Sequence, residues 1–256
     1  MTQVTDRLVN SDIVDLAKKQ FELERKQKIP TVVVNLSSKG LIYPESHPLR
    51  KGYVHMRHMS AYDEDILVNN TYIQQGIVFD MLLSELITDD IDINDIAVPD
   101  REGLIINAYI LGYGVDYNIS VTNPATNAKE THTINLSTLL TKPFNLTPDA
   151  NGEFQYKVDD ANTIKFRYVT VDYTDTKENK LITSFLERCI TEVNGNRSLA
   201  AIEDFLRYSF PPKQSKLFRK YYLENSPGIQ NEIEIKGENG DTFTAGFQFQ
   251  SDIFWA

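Results

Sequence analysis

Cysteine occurs once in the 256-residue chain, at Cys189, so no disulfide can form within it. Phe185, Leu186 and Ile190 surround it in a helix-like run, which reads as a buried thiol rather than a reactive one. Long apolar runs are missing as well. No stretch approaches the roughly 18 residues of a membrane span. In the first thirty residues Asp12, Asp15, Lys18 and Lys19 interrupt any signal-peptide core. Synthesis and folding in a reducing cytoplasm is the expectation.

Positive charge is scarce. Lys and Arg number 26 against 36 Asp and Glu, a net charge of -10. A phosphate backbone or an anionic lipid surface meets an unfavourable average field, so neither nucleic acid nor membrane is expected as a partner. The motifs of catalysis are absent too: no G-x-S-x-G, no H-E-x-x-H, no Walker loop and no G-x-G-x-x-G. Gly112-x-Gly114 follows a helical pattern, not a strand, and cannot seat a pyrophosphate. Asp90-x-Asp92-x-Asn94 opens like a calcium loop. Asp95 then stands where glycine is required and Arg101 where glutamate is, which leaves a solvated acidic connector. His55 and His58, two of four histidines with His47 and His132, fall at a strand end and face opposite ways. No cofactor or metal is expected, and no carboxylate stands among apolar neighbours in a way that raises its pKa. An enzyme with a site dispersed along the chain is the alternative left open.

What is present is globular: 41% hydrophobic and 24% charged residues, with 13 Phe and 13 Tyr to pack a core or meet a partner. Ser11 to Lys28 reads as a polar helix with an incomplete stripe through Ile13, Leu16, Ala17, Phe21 and Leu23. It is either a flap docked on the same core or an arm reaching a neighbour. Thr31–Leu36 and Tyr53–Met56 read as paired strands, and Ser60 with Asp63 and Glu64 as a capping box. Tyr72–Ile87 patterns as one helix with Ile73, Ile77, Val78, Met81, Leu82 and Leu86 inward, and a helix starting near Pro99 stops at Gly112 and Gly114. Alternation then predicts a hairpin over Tyr117–Leu136 and strands at Phe154–Val158 and Thr163–Val171. Leu181–Val193 reads as a helix, a second starts at Ser198, and a third runs from Pro211-Pro212 to Leu223. In the third, Leu217, Tyr221 and one of Phe218 or Leu223 are assigned to the core, with Lys213, Lys216, Arg219 and Lys220 solvated or facing an acidic protein surface. A last hairpin joins Glu232–Ile235 to Thr242–Phe249.

The fold class is therefore α+β, helices combined with several antiparallel β-hairpins. The domain reading is a helical arm over 1–30, an α+β lobe with a hairpin over 31–150, and a second α+β lobe with helices and the terminal hairpin over 151–256. Candidate protein-binding residues are Leu16 and Phe21 on the arm, and Ile253, Phe254 and Trp255 at the end. Large apolar groups at a terminus either dock a partner or pack on their own domain.

Several motifs in order resemble a known family. They are Leu36-Ser-Ser-Lys-Gly-Leu-Ile-Tyr-Pro44, Met56-Arg-His-Met-Ser60, Tyr113-Gly-Val-Asp-Tyr117, Ser226-Pro-Gly-Ile229 and Asp252-Ile-Phe-Trp255. The string resembles the baseplate hub and hub-assembly proteins of T-even-like contractile-tailed bacteriophages (myoviruses). Some members carry Cys-x-x-Cys pairs at two hairpin tips. Here the tips read Asn123-Pro-Ala-Thr-Asn-Ala128 and Lys236-Gly-Glu-Asn-Gly240, so that zinc site is not expected. The resemblance implies no active site. It implies a structural or assembly component of the virion tail baseplate, assembled in the host cytoplasm through contacts with other baseplate or tail proteins in a hetero-oligomeric assembly. Whether such a component stays in the particle or leaves as a transient chaperone is open.

Overall fold

The computed structural model describes residues 14, 30–170, 181–230, 232–237, 240–246 and 254. The arm helix expected at Ser11–Lys28, apart from the exposed Val14, lies outside the described residues, as do Ile253 and Trp255.

Strands β1 (Thr31–Asn35) and β2 (Tyr53–Arg57) pair antiparallel, with Val33 opposite His55. Between them residues 37–43 fold into successive turns. Gly40 has φ +78°, and a Cβ there would lie 2.5 Å from the Arg50 carbonyl oxygen, so only glycine closes this loop. The Arg50 guanidinium then donates to the carbonyls of Leu41 and Tyr43 at 3.1 and 3.0 Å.

Three short helices follow: α1 (Ala61–Leu67), α2 (Asn70–Gln75) and α3 (Val78–Leu86). The single helix expected over 72–87 is thus two. Gly76, at φ +71°, takes the left-handed position that terminates α2, and its N–H bonds back to Ile73 and Tyr72. The break turns Ile73 outward to 43% exposure, while Val78, Leu82, Leu83 and Leu86 are buried. Helix α4 (Val98–Tyr113) starts with Pro99 in its first turn and ends at Gly114, as the punctuation predicts.

The hairpin β3 (Asp116–Thr122) and β4 (Lys129–Asn135) forms in the expected place, and so does β8 (Glu232–Lys236) with β9 (Thr242–Gly246). A lone two-stranded hairpin is marginal in water. These two cover each other: Ile119 and Val121 of the first meet Ile235, Phe243 and Ala245 of the second in a small separate core.

Strands β5 (Phe154–Lys157), β6 (Thr163–Phe166) and β7 (Ile190–Val193) form a three-stranded sheet in that order. The helix expected over 181–193 is therefore shorter. Helix α5 (Leu181–Cys189) stops, and the β-branched Ile190 and Val193 leave it to pair with Phe166 and Ile164 of β6. Helix α6 (Leu199–Asp204) is capped by the Ser198 hydroxyl and runs through a π-turn over Phe205–Ser209. Helix α7 (Pro212–Glu224) completes the set.

The largest buried cluster draws on both sides of residue 150. It joins Leu49, Met56, Leu82 and Leu104 to Ile164, Phe166, Ile190 and Phe218. Main-chain bonds cross the same divide: Val98 N–H to Val169 at 2.9 Å, Lys142 N–H to Gly228 at 2.8 Å, and Gln230 N–H to Leu140 at 2.8 Å. Ile229 forms a β-bridge with Thr141, so the Ser226–Ile229 motif is where the chain returns to the segment after β4.

Candidate functional site

The motif residues turn inward. Asp100, the third residue of α4, is fully buried. Its carboxylate accepts from the Ser38 N–H and hydroxyl, both at 2.7 Å, and from the Tyr43 hydroxyl at 2.8 Å. The same Tyr43 oxygen accepts from the Ala97 N–H at 3.1 Å. Burial pushes the Asp100 carboxyl above its ordinary range, with the donors from Ser38 and Tyr43 pulling the other way. The expectation of no raised carboxylate is corrected here. Asp100 sits among charged neighbours in sequence, yet its surroundings come from a loop some 60 residues away.

Arg57 and Asp63 form the second inward motif. Two parallel bonds of 2.7 Å join guanidinium and carboxylate, whose side chains are 10% and 3% exposed. Arg57 also donates to the carbonyls of Glu85 and His58, both at 3.1 Å. Asp63 accepts from the Ser60 N–H at 2.7 Å and hydroxyl at 2.8 Å, the backward-reaching half of the expected capping box. Burial alone would raise the Asp63 carboxyl. The bonds from Arg57 and Ser60 outweigh it and hold the group below its usual range.

The acidic connector is solvated at Asp90, Asp92 and Asp95, but not at Asp89. Asp89 accepts from Lys51 at 2.6 Å and from the His55 N–H at 2.5 Å. Arg101, the residue in the place of the calcium-loop glutamate, donates to the carbonyls of Ile96 and Ile93 at 2.9 Å and pairs with Asp80. His55 and His58 go to separate partners, Asp89 and the Leu111 carbonyl. Among the described residues no three His, Cys, Asp or Glu side chains are grouped to hold a metal. Cys189 is wholly buried, and burial pushes its thiol well up.

A cleft of about 740 Å³ lies between the 42–47 loop and the β5–β7 sheet. Two of its charges are tied to each other: Arg197 bonds Glu153 twice, at 3.0 and 2.6 Å, and also reaches Glu192 at 3.0 Å. His47 stacks on Tyr43, and its Nδ1 accepts from the Leu49 N–H at 3.2 Å. The Arg197 bonds tie the chain just after β7 to the chain just before β5, and the His47 contacts stay within the loop.

Of the five candidate protein-binding residues, Leu16, Phe21, Ile253 and Trp255 lie outside the described residues. Phe254 is 8% exposed and set among Phe79, Tyr109 and Tyr113, with ring centroids 6.0, 5.7 and 5.9 Å away. Phe254→Ala is expected to destabilise the chain by about 3 kcal/mol, read as a lower urea midpoint. A variant with an unchanged midpoint but lost baseplate association gives the ring a docking role instead.

The outer surface offers more than sequence reading found. Helix α7 buries Ser215, Phe218 and Tyr222, whereas Leu217 and Leu223 are 47% and 68% exposed. The core assignment of Leu217 is corrected: the helix is turned so that Phe218 meets Phe166 at 5.3 Å and Tyr156 at 5.2 Å. Tyr62 and Tyr208 are exposed too, at 82% and 74%. Among the described residues no helix is long and apolar enough to cross a membrane.

Compared with known proteins, residues 44–251 match the family model described as T4 bacteriophage base plate protein. The α+β chain is thus a structural protein of a bacteriophage tail. It belongs to the T4 bacteriophage base plate protein family. No curated protein and no solved structure matches it.

Proposed function

We propose that this chain is a structural or assembly component of the hub region of the baseplate, acting through protein–protein contacts and carrying out no chemistry. The family match over 44–251 carries this reading. The order of the motifs from Leu36 to Trp255, which resembles hub and hub-assembly proteins, adds the hub. The pairing of Arg197 with Glu153 in the cleft supports a non-catalytic role for those two groups, because they already serve to join segments. The resemblance extends to factors that help a hub form, so a transient chaperone is the second reading.

Mass spectrometry of purified, infectious particles tests both. A retained subunit gives peptides at fixed stoichiometry to other baseplate proteins. A chaperone gives peptides in assembly intermediates and none in finished particles. Deletion of the gene with no effect on baseplate assembly would remove both readings.

A further inference from the structure

We infer that the outward face of α7 is a docking surface for an acidic, partly apolar face of another baseplate polypeptide, an inference that rests on the baseplate reading above. Lys213, Lys216, Leu217, Lys220 and Leu223 are all exposed. Their spacing of three, four, seven and ten from Lys213 puts them on one side of a helix. The buried side is occupied by Ser215, Phe218 and Tyr222, and the five side chains of this face stay exposed among the described residues.

Two observations fix the chemistry of the partner. First, charge is segregated. From Arg207 to Leu223 the chain carries Arg207, Lys213, Lys216, Arg219 and Lys220 and no Asp or Glu, in a protein whose net charge is -10. Within the described residues Lys220 has a single ion pair, to Glu224 at 3.5 Å, with both side chains more than half exposed. The Arg219 Nε is shielded from solvent and has no hydrogen-bond partner there. Second, two exposed leucines flank the cations: Leu217 follows Lys216 and Leu223 lies just beyond Lys220. Lysines alone form an ordinary solvated face, whereas exposed leucines beside them lose water favourably only against an apolar surface. An apolar patch rimmed by carboxylates satisfies both requirements. A phosphate backbone supplies the charge but not the apolar contact.

The test uses the full chain during phage infection. A photo-reactive benzoylphenylalanine replaces Leu217 or Leu223, and Tyr62 on α1 as an exposed control, and adducts are mapped by mass spectrometry. Expected are adducts from Leu217 and Leu223, absent from Tyr62, to one baseplate polypeptide at a segment rich in Asp and Glu. The triple variant K213E/K216E/K220E is expected to keep the wild-type melting temperature and to slow association on the order of 10- to 1,000-fold. Arginine at the same positions should restore it. Adducts to nucleic acid or lipid, adducts to a basic segment, or adducts that survive the triple reversal overturn the inference. So does a triple variant that co-sediments with baseplates as well as the wild type does. A wild-type chain that never co-sediments with baseplates defeats the baseplate reading itself, which separates the two failures.

Discussion

Arg57→Ala is expected to lower the unfolding free energy by about 3–5 kcal/mol, seen as a fall in Tm on the order of 10 °C for a chain of this size. The alanine removes both 2.7 Å bonds to Asp63 and the bonds to the Glu85 and His58 carbonyls. Asp63, 2% exposed, is then left as a buried charge with only Ser60 as donor. Arg57→Lys should fall between, since one ammonium cannot reproduce two parallel bonds. The double variant R57M/D63L should lose less than the sum of R57A and D63A, because it leaves neither charge unpaired. The pH dependence has a fixed sign. The Asp63 carboxyl is held below its ordinary value in the fold. Its contribution is therefore fully present above about pH 4, the unfolded value, and is lost as pH falls through the lower, folded one. The gap between wild type and Arg57→Ala must narrow in acid. Urea midpoints that stay equally far apart below pH 4 would falsify the ion pair as its source.

The residues that betray the family to a reader of the sequence are mostly these inward ones. Ser38 and Tyr43 bind Asp100, Arg57 and Ser60 bind Asp63, and Gly228 and Ile229 pair with the segment after β4. They specify how loops are tied to helices, and so mark a fold more than a binding surface. Period-two alternation made both hairpins legible, because each strand has one wet and one dry side. It could not show that the hairpins cover each other, since Val121 and Phe243 are far apart in the chain. Two errors came from periodicity itself. Ile73, Ile77 and Val78 continue a helical stripe across Gly76, so the pattern hides the break that the backbone makes there. Ile190 and Val193 are three apart, a spacing that suits a helix until β6 offers a strand to pair with. In α7, Leu217 with Tyr221 and Phe218 with Tyr222 describe two equally apolar faces. Only the pocket between Phe166 and Tyr156 chooses Phe218, and so leaves Leu217 outside.

Asp100 is the case where sequence reading had the least to work with and where a single substitution should reach furthest. Asp100→Ala is expected to cost on the order of 3–5 kcal/mol, since it strands three buried donors at about 1–3 kcal/mol each: the Ser38 N–H, the Ser38 hydroxyl and the Tyr43 hydroxyl. The damage spreads along the chain because Tyr43 also holds the Ala97 N–H at the start of α4. Serine and tyrosine hydroxyls can rotate to meet an amide, so Asp100→Asn should cost less than the alanine. The asparagine variant also isolates the charge. Burial raises the Asp100 carboxyl in the fold, so folding takes up a proton. The stability this gives is fully present below the unfolded value near pH 4 and is lost as pH rises through the higher folded value. Asparagine does not titrate. Urea denaturation of wild type and Asp100→Asn from about pH 4, the unfolded value, upward should therefore show the wild-type advantage shrinking as pH rises, the opposite direction to the Arg57 series. An advantage that grows with pH would mean that the donors from Ser38 and Tyr43 outweigh desolvation, and that the latch is built for the carboxylate rather than the acid.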